Sequence, residues 1–394
     1  MTTTLAQPAI LGGTPAFPAG LPLTRVQIPQ QDALRQRLDA IIASGNLTNG
    51  ATVRELEAAA AELLGVPHVV AVASCTTGLM LVLQAVGATG PVTLPSFTFS
   101  ATAHAVAWVG GRPVFAEIDR DSITLDPADA ADQVAASGSA ALMATHVYGT
   151  PCDVERLQEV AERAGVPLVY DAAHGLGSRR NGRPIGSFGT AEVFSLSPTK
   201  VVTGGEGGLI ATHDEGLAQA CRLGRDYGNP GDYDCLFPGL NARMSELHAA
   251  VALASLSAVE ARVAKRGEMV RAFHAATSGL PGLRFPVVAA GDVSTYKDLT
   301  LIVEPAEFGL DTVQLATALR AEGIDSRRYF FPPVHRQKAY ADLPRDRELP
   351  ITDEVADRVL TLPLWSHMTE GVVRQIADAV IRVQARSRKV ASAL

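Results

Sequence analysis

Brief apolar runs and helix-spaced apolar positions alternate along much of the chain. Residues 69–73, 92–94, 113–117, 140–145 and 167–170 are short and mostly apolar, which predicts buried strands. Residues 77–86, 100–109 and 154–164 carry apolar side chains at helical spacing. Strands that alternate with helices predict a largely parallel sheet covered on both faces. Ahead of this block a helix is expected from Gln31, with Leu34, Leu38, Ile41 and Ile42 on one face and Gly45 as its stop. A second is expected to start at Thr52, as N-cap, and to end at Gly65. Further on, a long helical region over 244–277 is expected to lead out of the sheet domain into a smaller α/β unit. That unit has a strand over 297–303, a helix over 311–321 stopped by Gly323, and a last helix over 370–385. The first 30 residues hold Gly12, Gly13, Pro15, Pro18, Gly20, Pro22 and Pro29 and read as an extended arm. Such an arm must lie on something to be ordered, and a partner subunit is one option. The expected division is an arm over 1–30, a large domain over 31–255 and a small domain over 256–394.

Composition narrows the class. Among 394 residues, 47% are hydrophobic and 19% charged, enough for a large globular core. The net charge of −7 gives no basic footprint for nucleic acid. Cys75, Cys152, Cys221 and Cys235 have neither metal-site spacing nor the frame of a small disulfide-linked protein. No metal site is expected, and the thiols suit a reducing cytoplasm. The N-terminus lacks the basic and apolar segments of a signal peptide, and no apolar run approaches the roughly 20 residues of a membrane span. A cytoplasmic, soluble protein is expected.

Three polar clusters fall where strands should end, the edge at which open α/β sheets bind ligands. Ser74-Cys75-Thr76-Thr77-Gly78 joins a strand to a helix. It reads either as a phosphate site at a helix N-terminus or as plain capping. Asp171 closes the strand before Ala-Ala-His174. Buried there, it wants a cationic partner, unless it only caps the next turn. The stretch from Ala191 to Gly208 contains Ser195 and Lys200, the first lysine of the chain, and ends in Gly205-Glu-Gly-Gly208. A lysine in such a glycine-rich turn is either an ordinary surface residue or a buried amine that can lose its proton and form a Schiff base. Pyridoxal phosphate needs all three: a phosphate cradle, a carboxylate for the ring nitrogen and a lysine. An aromatic from Pro95-Ser-Phe-Thr-Phe99 could lie against its ring.

With His146-Val-Tyr-Gly149, Asn241-Ala-Arg-Met-Ser-Glu246, Leu47-Thr-Asn-Gly50 and Leu362-Pro-Leu364 added, the chain resembles the DegT/DnrJ/EryC1/StrS family of pyridoxal-phosphate aminotransferases over nearly its whole length. The resemblance implies the PLP-dependent transferase fold type I, an α/β fold. Its large domain has a mostly parallel seven-stranded sheet between helices, and its small C-terminal domain is α/β. It implies Lys200 as the Schiff-base lysine and proton shuttle, Asp171 on the pyridine nitrogen and His174 against the ring or its hydroxyl. Phe99 would stack on the ring, and Cys75, Thr76 and Ser195 would bind the phosphate. Asn241 would reach the phosphate of a neighbouring subunit, so a homodimer is implied. Thr48, Arg225, Tyr329 and His335 fall in segments that face the sugar or its nucleotide in relatives. The implied activity moves an amino group from glutamate or glutamine to a nucleotide-linked keto-deoxysugar, as in amino-sugar and antibiotic biosynthesis. Leu11-Gly-Gly-Thr-Pro-Ala is similar to relatives that act on keto-cyclitols or make an aminohydroxybenzoate, which is the alternative. A dehydratase, in which histidine replaces the lysine, and a non-catalytic sensor are the remaining readings.

Overall fold

The computed structural model describes residues 6–344 and 347–394. Seven strands form the main sheet: β1 His68–Val72, β2 Pro91–Pro95, β3 Arg112–Ala116, β4 Ala141–Thr145, β5 Leu168–Asp171, β6 Ala191–Ser195 and β7 Gly208–Thr212. Their order across the sheet is β1-β7-β6-β5-β4-β2-β3. β3, β2, β4, β5 and β6 run parallel, whereas β7 is antiparallel to both neighbours. Every residue of β4, β5, β6 and β7 is buried, as expected for central strands with helices on both faces. The register places Asp171 beside Thr145 on one side and Val193 on the other, so the C-terminal ends of β4, β5 and β6 lie together. That edge carries the site.

The turn after β6 returns sharply into β7, and glycine is required there. Gly207 holds φ +144°, and a Cβ on it would meet Met244 Cε at 2.8 Å. A Cβ on Gly208 would lie 2.6 Å from the Ser74 carbonyl carbon and 2.7 Å from the Cys75 nitrogen. The glycines thus press the start of β7 against the turn that opens the helix Cys75–Ala85.

A second sheet is antiparallel, with β8 Leu283–Arg284, β9 Leu299–Val303 and β10 Val359–Leu362. Its core gathers Phe273, Leu301, Phe308, Leu360 and Ile376. The extended arm joins this core: Leu21 is buried in it, and Phe17 N donates to the Glu322 carbonyl at 2.8 Å. Glu322 also accepts from Ala9 N and Ala16 N, both at 3.0 Å, and from Arg382. The described part of the arm therefore lies on its own chain.

Three local expectations change. Thr52 does not cap its helix, which runs Ala51–Leu64 behind Gly50. Glu246, distant in sequence, takes the first amides instead, accepting from Gly50 N, Val53 N and Thr52 N at 2.8–2.9 Å. The long helical region is two helices, Glu246–Leu256 and Val259–Ala276, bent by 57°. Val259 and Val263 pack in the core beneath the large sheet, while Met269, Val270 and Phe273 pack in the second core. On the first helix, Gln31–Ser44, only Ile41 of the apolar face is buried, and Ile42 is 65% exposed. Helices at Pro127–Ser137 and Glu215–Gly224 and the strand β10 were not visible in the periodicity. No single helix among the described residues is long and apolar enough to cross a membrane.

Candidate active site

The site begins with a buried carboxylate. Asp171, 3% exposed, ends β5 with nowhere for its charge to go but into the protein. Its Oδ2 accepts from Thr102 Oγ1 at 2.7 Å and its Oδ1 from Ala173 N at 3.0 Å. Thr102 is held in turn by Thr98 Oγ1 at 2.7 Å, and Thr98 by Thr145 Oγ1 at 3.1 Å, so a row of hydroxyls fixes the carboxylate. Among the described residues Asp171 has no ion-pair partner. A buried, uncompensated carboxylate costs several kcal/mol, so this arrangement suits a cationic donor supplied from outside the chain.

Lys200 lies in the turn after β6, its backbone N donating to the Ser197 carbonyl at 3.1 Å. Burial first, and then the charge of Lys297, pull its amine down to about 8; Asp298, Cys75 and Asp171 act in the opposite sense. About a tenth of Lys200 is therefore neutral at pH 7, far more than of an ordinary lysine, and the neutral form is the nucleophile. A cavity of about 230 Å³ opens beside it, lined also by Arg25, Arg262, Arg266, Trp365 and His367.

His174 follows Asp171 in a turn and is half-buried. Its Nδ1 accepts from Tyr148 N at 3.1 Å, which leaves the ring proton on Nε2. Burial, then Lys200 and Lys297, push the imidazole well below its usual value, so it stays neutral. Tyr148 presents that N–H from a left-handed backbone, φ +56°, an uncommon conformation for a non-glycine residue. The ring of Phe330 stacks on His174 with centroids 6.3 Å apart and 16° between planes.

At the helix Cys75–Ala85, Ser74 is the N-cap and forms a capping box with Thr77. The first-turn amides of Cys75 and Thr76 have no partner among the described residues. The Cys75 thiol points inward, toward the Val193 carbonyl at 3.5 Å and Asp171 at 3.9 Å, so only its backbone faces the cradle. Burial drives that thiol well above its ordinary value, which makes it an inert packing group. Ser195 accepts from Ser197 N at 3.3 Å.

The remaining candidates separate into two groups. Phe99 (59% exposed), Asn241 and Thr48 are all exposed on the isolated chain. Asn241 and Thr48 sit in bridges to Asp226 and Ser245. Arg225 and His335 are already engaged. Arg225 is buried against Glu57 Oε1 and the Ala71 carbonyl, both at 2.6 Å. His335 is held by Ser96 Oγ at 2.6 Å and Asp353 Oδ1 at 3.2 Å. Tyr329 is half-buried, its ring 5.3 Å from Lys297 Nζ.

The profile of the DegT/DnrJ/EryC1/StrS aminotransferase family matches residues 30–381. The chain belongs to this family. It is 30% identical over 368 residues to the dTDP-4-amino-4,6-dideoxy-D-glucose transaminase of Escherichia coli, covering 92% of this chain and 98% of that protein. The crystal structure of DesI in the presence of its TDP-sugar product superimposes with a TM-score of 0.91, at 36% identity over 98% of both chains. S. venezuelae DesV, solved with a ketimine intermediate, gives a TM-score of 0.85 at 31% identity, covering 90% of this chain and 95% of DesV. The protein is therefore an aminotransferase of the PLP-dependent transferase fold.

Sequence reasoning missed Lys297, Asp298, Thr102, Tyr148 and Phe330. Lys297 left a signal: the chain has five lysines, and this one stands in the apolar run Tyr-Lys-Asp-Leu-Thr-Leu-Ile-Val.

Proposed function

We propose that this aminotransferase binds pyridoxal phosphate on Lys200 and Asp171 and transfers an amino group from glutamate or glutamine to the keto group of a nucleotide-linked deoxysugar. The observation that carries the reading is the half-buried Lys200, its amine lowered to about 8, within electrostatic reach of the buried Asp171 carboxylate, which has no ion-pair partner among the described residues. The residues fit the cofactor. Asp171 offers its carboxylate to a ring nitrogen that carries a proton, and the Cys75 and Thr76 amides, at the positive end of their helix, suit a phosphate. His174 offers its Nε2–H to an oxygen of the ring system. When bound, pyridoxal phosphate supplies an electron sink that lets a proton leave the carbon bearing the amino group.

Lys200 removes that proton from the donor and later delivers one to the acceptor carbon. Its amine suits both duties, because a value of about 8 makes the neutral and charged forms interchangeable near neutrality. Asp171, held by Thr102 and the Ala173 amide, is fixed in one orientation toward the ring nitrogen it would meet. The donor leaves as a 2-oxo acid and the keto-sugar becomes an amino-sugar, so atoms and charge balance over the two halves. The sugar acceptor is supported by the transaminase relative and by DesI with its TDP-sugar product.

We infer further that the working unit is a homodimer. Ile42 on the outer face of the first helix, Phe99 and Asn241 are all exposed on the isolated chain, and a second copy would cover them. The proposed division is an arm (1–30), a large domain (31–255) and a small domain (256–394). Four free cysteines suit a reducing cytoplasm.

The test is a panel of acceptors with the holoprotein, following 2-oxoglutarate formed from glutamate. Turnover is expected with a dTDP-linked keto-deoxyhexose. Turnover with a keto-cyclitol alone would move the acceptor to that alternative, and turnover with none would overturn the assignment.

A further inference from the structure

The cleft beside Lys200 collects charge of a single sign. Its cavity of about 230 Å³ is lined by Arg25 of the arm, by Arg262 and Arg266 of the helix Val259–Ala276, and by His367. No carboxylate lines it among the described residues. Arg262 and Arg266 stand four residues apart and so share a face of their helix. None of the three arginines has an ion-pair partner among the described residues.

The hydrogen bonds they make go to neutral oxygens. Arg262 Nη1 donates to the Val201 carbonyl at 2.8 Å and to Ser255 Oγ at 2.7 Å, and its Nη2 donates to the Gln27 carbonyl at 2.5 Å. Arg266 Nε donates to the Tyr296 carbonyl at 2.8 Å, and its Nη2 to the Lys297 and Leu364 carbonyls at 2.6 and 3.2 Å. Arg25 makes no hydrogen bond among the described residues. Burial, then the charges of Arg25 and Arg262, push His367 below its usual value. Burial also pulls Arg266 down to about 10; Asp298 opposes this and Arg262 adds to it. Asp298 is itself engaged, accepting from Lys297 Nζ at 2.8 Å. Cations gathered without a counter-ion cost free energy, and the walls of a cleft focus their field on whatever enters it.

We propose that this cleft is the carboxylate subsite for the amino donor and that it selects a dicarboxylic amino acid, glutamate, over the amide glutamine. The inference rests on the reading of Lys200 as the reactive amine. Lys200 lines the same cavity, and Arg262 fixes the cleft against it by tying the arm at Gln27 to Val201, the residue after Lys200. A guanidinium presents paired N–H donors that match a carboxylate, and three of them favour a ligand with two negative charges over one with a single charge. A cavity of about 230 Å³ holds a small acid. It lies below the roughly 300–1,000 Å³ of sites for larger ligands such as a nucleotide-linked sugar. The donor and the 2-oxo acid it becomes carry the same carboxylates, so one cleft serves both.

Glutarate, which has two carboxylates and no amino group, probes the cleft without reacting. Its binding to the full-length protein loaded with pyridoxal phosphate is measured by calorimetry at pH 7 and fixed ionic strength. Wild type is expected to bind it, and Arg25→Gln to bind it about tenfold more weakly. Arg25 holds no other group in the fold, so this variant should melt as wild type does. In turnover it should raise the KM for glutamate about tenfold, leave the KM for the keto-sugar in place and narrow the preference for glutamate over glutamine. A merely structural role would move both KM values. Glutarate that does not bind wild type, or that binds Arg25→Gln and Arg25→Gln/His367→Gln as tightly as wild type, overturns the proposal. So does a rise in the keto-sugar KM alone, which would give the cleft to the acceptor's diphosphate. Borohydride capture of the cofactor on Lys200 separates the failures. Without capture the functional reading falls and the subsite with it, whereas capture with unmoved glutarate binding sinks the subsite alone.

Discussion

Lys200 shows at the scale of one residue how function opposes stability. An exposed lysine keeps its proton to about 10.5, whereas this one holds it only to about 8. The fold therefore disfavours its charged form. Since the folded value is depressed for a base, the penalty is fully present below about 8 and vanishes above the unfolded value. The cofactor-free Lys200→Met variant should accordingly be more stable than wild type at pH 7 by about 1–3 kcal/mol, and inactive. The gain should shrink as pH rises toward 10.5. Urea unfolding at pH 7 and pH 10 checks this; equal or lower stability at pH 7 would mean that the amine is not desolvated. The oddity of this lysine was legible in the sequence, where it is the first of its kind in the chain. The influence of the Lys297 charge on it was not, because nothing in spacing alone links positions nearly a hundred residues apart.

Elements show why boundaries shifted while their kinds did not. Strands read as apolar runs at 92–94 and 167–170 formed as β2 and β5, lengthened or displaced by a residue or two at their ends. Helix starts depended on caps that are local in some cases and remote in others. Asp311, expected as the first residue of its helix, instead caps Thr312–Ala321 through its own side chain. At Ala51–Leu64 the cap comes from Glu246, and no local rule could have found it. Burial pushes the Glu246 carboxyl up, but the amides of Val53, Thr52 and Gly50 outweigh it and hold the carboxyl below its usual value. Its contribution is thus present above the ordinary carboxylate range and is lost as pH falls through the lowered folded value. Glu246→Ala leaves three amides without an acceptor and should cost about 2–4 kcal/mol at pH 7. Chemical denaturation measures it, and a change below about 0.5 kcal/mol would show that water replaces the carboxylate.

At the scale of the whole molecule, the site is assembled from strand ends of one sheet and the entry to a strand of the other. Asp171 and Lys200 come from β5 and the turn after β6, Cys75 and Thr76 from the turn after β1, and Lys297 from the approach to β9. A parallel sheet brings its strand ends to one edge, so the first four positions could be assigned from order along the chain. The contribution of the second sheet depends on how Val259–Ala276 bridges the two cores, which periodicity does not encode. Arg225 illustrates the converse: its place in the chain suggested substrate, yet its guanidinium braces Glu57 and β1. The central claim is that Lys200 is the amine that holds the cofactor. Adding pyridoxal phosphate to the full-length protein, reducing with borohydride and mapping the phosphopyridoxyl peptide tests it most directly. The account predicts a single modified residue, Lys200, with no incorporation in Lys200→Ala. Modification of Lys297 or another lysine instead, or of none, would contradict it.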